Sequence, residues 1–143
     1  MAGWLRIRIK GQAGDSIRLR FAERLQPDGE IFTKNLRDAH CTDIYVVSGR
    51  EPQDATWAPR FVYHGFRYVE ISGYPNAKTE DFTAEVVDDE MAHTGTFTCS
   101  DETLNQVLRN AFWGIRSNYK GMPVDCPQRN ERQPWLGDHA MGS

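Results

Sequence analysis

Fourteen residues, Asp125-Cys-Pro-Gln-Arg-Asn-Glu131-Arg-Gln-Pro-Trp135-Leu-Gly-Asp138, hold three carboxylates, two arginines and a tryptophan. Pro127, Pro134 and Gly137 interrupt any regular helix, so the stretch is expected to be an ordered loop. Its functional groups suit cleavage of a glycosidic bond. One carboxyl protonates the leaving oxygen, and a second activates water or attacks the sugar. The donor must keep its proton near neutral pH, which apolar surroundings or nearby negative charge favour. Glu131 has Asp125 and Asp138 near it in sequence and Trp135 four residues on, while Arg129 and Arg132 supply opposing positive charge. Trp135 offers a flat apolar ring either to the C–H face of a sugar or to a protein core. Spacing within a loop does not fix distance, so the residue types alone do not show that the carboxylates converge.

Two other chemistries compete for the same residues. Asp125, Glu131 and Asp138 are hard oxygen ligands of the kind calcium takes. Their spacing matches no EF-hand loop and two interleaved arginines would compete with a cation, so no metal and no cofactor is expected. Cys126 and His139 suggest a thiol nucleophile pair, but Cys126 lies between Asp125 and Pro127, with nothing beside it to favour a thiolate. A packed cysteine is the expectation. Cys41, Cys99 and Cys126 include no CxxC and predict neither a disulfide framework nor a structural zinc site. His64, between Tyr63 and Gly65 on a strand, reads as structural, and His40 and His93 carry no chemical signal.

The elements that must position this loop are mostly strands. Leu5, Ile7 and Ile9 alternate with Arg6, Arg8 and Lys10, and Ile17, Leu19 and Phe21 continue the same period after a Gln12–Asp15 turn. The two runs predict a β-hairpin. Gln26-Pro-Asp-Gly29 is a turn signature followed by the short apolar pair Ile31-Phe32. Further strands are expected over 43–48, on either side of Gly65 within 60–72, over 82–87 and over 95–99. No helical pattern precedes residue 100, so the first part reads as an antiparallel β-sandwich of jelly-roll type. Ser100 then offers an N-cap, Asp101 and Glu102 suit a first helical turn, and Leu104, Val107, Leu108, Ala111, Phe112 and Ile115 follow helical spacing. Lys120-Gly121 and Pro123 predict its end.

The chain has 143 residues, 39% hydrophobic and 26% charged, with a net charge of −3. Neither nucleic acid nor an anionic membrane is expected as a partner. No apolar run approaches the ~20 residues of a membrane span, and the first residues have no apolar core of signal-peptide length. A helix of this length cannot bury its apolar face alone. The division expected is a sandwich over 1–98 and the opening of a second, helical domain over 99–143, within a larger protein.

The loop closely resembles the signature of bacterial α-L-rhamnosidases of glycoside hydrolase family 78. Gly3-Trp4, Leu19-Arg-Phe-Ala-Glu23, Pro27-Asp-Gly29, Asn35-Leu-Arg37, Thr42-Asp43 and Tyr63-His-Gly-Phe-Arg-Tyr-Val-Glu70 are similar to that family's sandwich domain. Residues 100–119 resemble the first helix of its (α/α)6 catalytic barrel. The resemblance implies inverting hydrolysis of terminal α-L-rhamnose from glycosides or polysaccharides. It implies Glu131 as general acid, Asp125, Trp135 and Asp138 as sugar-binding residues, and Arg129 and Arg132 as loop-ordering residues. Pro134 departs from the glycine that many relatives place before the tryptophan. The family's general base is a glutamate of a later barrel helix, absent here with the other helices of the barrel wall, which leaves these residues without activity of their own. Two readings from other classes stand beside this one. In the first, the sandwich binds carbohydrate through Trp57, Tyr63 or Tyr74; in the second it is only a packing platform.

Overall fold

The computed structural model describes residues 1–92, 94–135 and 137. Strands β1 (Ala2–Arg8), β2 (Ser16–Ala22), β3 (Arg24–Leu25), β4 (Ile31–Phe32) and β5 (Thr42–Val46) come first. Strands β6 (Thr56–Trp57), β7 (His64–Gly65), β8 (Tyr68–Ser72) and β9 (Phe82–Val86) follow, then helix α1 (Glu102–Asn118) and the short strands β10 (Tyr119–Lys120) and β11 (Met122–Pro123). All strand pairs are antiparallel. No described helix is long and apolar enough to cross a membrane.

Two sheets make the sandwich. In one, β1 pairs with β9 along one edge and with β6 and β7 along the other; in the second, β2 lies between β5 and β8. The inward residues of both, Leu5, Ile7, Ile17, Leu19 and Phe21, share one core with Leu36, Val47 and Phe66. Burying each such side chain contributes about 1.5–3 kcal/mol relative to leaving it exposed. The expected β1–β2 hairpin therefore does not form. The Gln12–Asp15 turn is present, with Asp15 N bonded to Gln12 O at 3.0 Å, but it carries the chain from one sheet to the other. Alternation with period 2 is the same whether two strands pair or face each other across a core, so the sequence pattern is silent on which occurs.

Two other expectations change. Residues 95–99 form no strand. The helix is capped by Asp101 rather than Ser100, its carboxylate accepting from Thr103 N at 2.8 Å and Leu104 N at 3.3 Å. An aspartate serves both the orphan amides and the positive end of the helix, whereas a serine serves only the amides. Leu104, Val107, Phe112 and Trp113 of α1 are exposed, and its last turns lean on the sandwich through Arg116 and Asp88.

The segment after α1 lies against the sandwich. Gly65 has no room for a side chain, because a Cβ there would stand 2.8 Å from Gln128 N and 2.9 Å from its Cβ. Cys41 Sγ donates to Gln128 O at 3.1 Å from the same side. Gly65→Ala is therefore expected to push the 126–133 segment outward, with amide shifts concentrated there and a loss of about 1–3 kcal/mol in denaturant unfolding. Shifts spread evenly through β1 and β2 would contradict the contact.

The sandwich's ion pairs also set its acid stability. Lys10 and the Lys78 amide hold the Asp81 carboxyl below its ordinary value of 3.8 against the opposing effect of burial, and Arg6 and Trp4 do the same for Glu85. Carboxyls depressed in the folded state stabilise it above their unfolded values, and that contribution is lost as pH falls through the folded ones. The melting temperature should therefore drop steeply below about pH 4. Asp81→Asn should lower it at neutral pH yet flatten the acid slope; an unchanged slope would contradict the assignment.

Candidate functional site

The 124–135 segment is a closed loop, and its closure is local. Strands β10 and β11 turn at Gly121, whose φ of 71° places it in the left-handed region and whose amide is bound by both oxygens of Asp89 at 2.7–2.8 Å. Val124 N then bonds to Asn118 O at 2.8 Å, returning the chain to the end of α1. Asp125 closes the loop: its amide donates to Gln133 O at 3.1 Å, and its Oδ1 accepts from Gln133 N at 2.8 Å. Pro127 and a φ of 47° at Arg132 exclude regular helix between these points, so the side chains must supply the remaining order.

Arg132 supplies most of it. Its Nε and Nη2 reach Pro127 O at 3.1 and 2.7 Å, Nη2 reaches Tyr63 O at 2.8 Å, and the guanidinium sits 4.2 Å from the Tyr63 ring centroid. It binds carbonyls and an aromatic face; among the described residues, Arg129 is the loop arginine that ion-pairs. Lys120 approaches the same ring at 5.1 Å, and burial lowers its ammonium below the usual lysine value against the pull of Asp88 and Asp89.

Glu131 is partly buried and lies between two cations. Its Oε2 is 2.8 Å from Arg37 Nη1 and 2.7 Å from Arg129 Nη2. Arg129 Nε also donates to Cys126 Sγ at 3.0 Å. Burial pulls the Asp125 carboxyl up, but the Cys126 thiol and the Gln133 amide outweigh it and hold it below the ordinary carboxylate value. Burial, joined by Asp125, pushes the Cys126 thiol up, which disfavours the thiolate.

Asp125, Cys126 and Glu131 thus come together, each offering an atom within 4.8 Å of the others. Such a set could ligate a cation, but the two guanidiniums on Glu131 compete with one and the thiol is a poor ligand while protonated. Trp135 is exposed, its amide bonded to Gln133 O at 3.0 Å. Asp138, His139 and His93 lie outside the described residues. His64 is buried, 2.9 Å from Asp43 Oδ1 and stacked on Phe21 at 4.1 Å, a packed histidine of the core. Trp57 and Tyr63 line an open groove of about 1110 Å³ with Trp4, Phe61 and Val87. Tyr74 is elsewhere, bonded to Arg8 O at 2.8 Å and packed on Phe82.

Arg37, Tyr63, Gly65 and Cys41 are the contributors that reading the loop by itself misses. All belong to the sandwich; Asn35-Leu-Arg37 and Tyr63-His-Gly65 are signals of the family resemblance, and Tyr63 is also a candidate sugar-binding aromatic of the sandwich.

Similarity to known proteins agrees with this architecture. Residues 1–88 match the bacterial alpha-L-rhamnosidase concanavalin-like domain, and residues 92–143 match the bacterial alpha-L-rhamnosidase 6 hairpin glycosidase domain. An alpha-L-rhamnosidase of Formosa agariphila is 42% identical over 96% of this chain, which covers 15% of that protein. One of Streptomyces avermitilis is 43% identical over 96% of the chain and 13% of its own length. The crystal structure of the Streptomyces avermitilis enzyme complexed with L-rhamnose superposes with a TM-score of 0.89, over 96% of this chain and 13% of that one. The native Aspergillus terreus enzyme does so with a TM-score of 0.88 at 42% identity, over 96% of this chain and 16% of that one. The chain spans about 15% of the length of the relatives it matches. With its sandwich and the start of its six-hairpin domain both matched, this chain belongs to the bacterial α-L-rhamnosidase family.

Proposed function

We propose that this chain is the acid-bearing part of an inverting α-L-rhamnosidase, with a sandwich over 1–98 and the opening of the catalytic barrel over 99–143. The observation that supports it most is the closed loop that brings Glu131 beside Asp125 on the face of a sandwich belonging to this family. Glu131 gives its proton to the glycosidic oxygen as the bond from that oxygen to the anomeric carbon breaks. A water attacks the same carbon from the opposite ring face and loses a proton to a carboxylate base, so the configuration inverts. The base comes from a later helix of the barrel, ~6.5–9.5 Å from the acid to admit the water. Asp125, its charge held by the Gln133 amide, accepts from a rhamnose hydroxyl, Asp138 does the same, and exposed Trp135 offers its ring to the sugar. The substrate is a rhamnose-containing glycoside or polysaccharide.

A second reading has support in the groove shared by Trp57 and Tyr63, whose aromatic lining suits a sugar ring. L-rhamnose shifts confined to those two residues and surviving Glu131→Gln would favour it.

The 143-residue chain alone is expected not to hydrolyse p-nitrophenyl α-L-rhamnoside. Grafted in place of the matching stretch of the Streptomyces avermitilis enzyme, it should support turnover, and Glu131→Gln should lower kcat by about 10²–10⁴-fold. Turnover by the chain alone that disappears in Glu131→Gln would contradict the division of acid and base, and a graft indifferent to Glu131→Gln would contradict the acid assignment.

A further inference from the structure

Glu131 is held from two directions that the family reading does not distinguish. Arg129 is a neighbour within the loop, whereas Arg37 arrives from the sandwich, and both donate to the same oxygen, Oε2. We infer that Arg37 is a positioning residue that fixes Oε2 and leaves Oε1 as the oxygen that delivers the proton, an inference that rests on Glu131 being the acid.

Three observations carry it. The first is the contact itself, 2.8 Å from Arg37 Nη1 to Oε2, made by a side chain whose described ionic partner is Glu131. The second is the backbone: Arg37 has φ 56° and ψ −126°, a conformation that glycine adopts freely and residues with a Cβ rarely do. It follows a short turn over Lys34–Leu36 that Leu36 anchors, 1% exposed in the core, with Leu36 N bonded to Thr33 O at 2.9 Å and Ala39 N to Leu36 O at 3.2 Å. Strained residues persist where their surroundings over-determine them, and they gather at functional sites. An arginine here costs local backbone stability and returns a guanidinium to the carboxyl.

The third observation is chemical. A guanidinium donates and cannot accept. A neutral carboxyl that keeps Oε2 between Arg37 and Arg129 must therefore carry its hydrogen on Oε1, while Oε2 accepts from both. The pair settles which oxygen faces the glycosidic bond and limits rotation of the carboxyl, the kind of pre-orientation on which proton transfer depends. The sandwich then contributes directly to the site rather than only supporting the barrel.

Glycine substitution separates this role from a structural one, since it relieves the backbone while removing the guanidinium. In the 143-residue chain labelled with ¹³C-glutamate, Arg37→Gly should move the Glu131 Cδ resonance, and Arg37→Lys should keep it near its original position. The melting temperature of Arg37→Gly should equal or exceed that of Arg37→Gln. In the grafted enzyme, Arg37→Gly should lower kcat about ten-fold or more with KM within about three-fold. A Glu131 resonance unmoved by Arg37→Gly overturns the inference. So does a normal kcat for Arg37→Gly where Glu131→Gln is inactive, and that result leaves the acid assignment standing. A graft in which Glu131→Gln is fully active removes both.

Discussion

The position of the acidic loop depends first on one guanidinium. Arg132 bonds back to Pro127 O within the loop and across to Tyr63 O on the sandwich, and lies over the Tyr63 ring. Carbonyls left unpaired at such a junction would carry a desolvation cost. The five fixed donors of an arginine can serve two of them while its flat face covers an aromatic. A lysine could not do both. Among the described residues the loop has no regular hydrogen-bond ladder beyond the Asp125–Gln133 closure, so this side chain substitutes for secondary structure.

Around that clamp the contacts are close and mostly local to one patch of the sandwich. Gly65 lets the Gln128 backbone approach where any Cβ would block it, and Cys41 takes the Gln128 carbonyl. Arg37 meets Glu131 from the same domain. Sandwich and loop are therefore in direct contact even though separate family models cover them. Helix α1 stands differently. Its cap is well made, but Leu104 and Val107 are exposed, so the apolar stripe read from its spacing is only partly covered among the described residues.

The fold class was legible in the sequence because it rests on local signals. Alternating Leu5, Ile7, Ile17 and Leu19 mark buried strand faces, and the residue types between Asp125 and Asp138 raise the expectation of carboxylate chemistry. What was hidden is relational. Strands β1 and β2 carry the same alternation whether they pair or oppose each other, and only the β1–β9 and β2–β5 pairings decide between them. No spacing in the sequence announces that Arg37 reaches Glu131, because its direction is set by a left-handed backbone turn. Trp135 was open between core and sugar, and it is exposed among the described residues.

The claim on which the rest depends is that the sandwich holds the loop in a single arrangement. Hydrogen exchange of the 143-residue chain tests this most directly. The account predicts that the Val124, Asp125 and Gln133 amides, each bonded in the closed loop, exchange far more slowly than unstructured peptide, and that Arg132→Lys speeds them selectively while the β2 amides stay protected. Loop amides exchanging at unstructured-peptide rates in the unmodified chain, beside protected β2 amides, would contradict it.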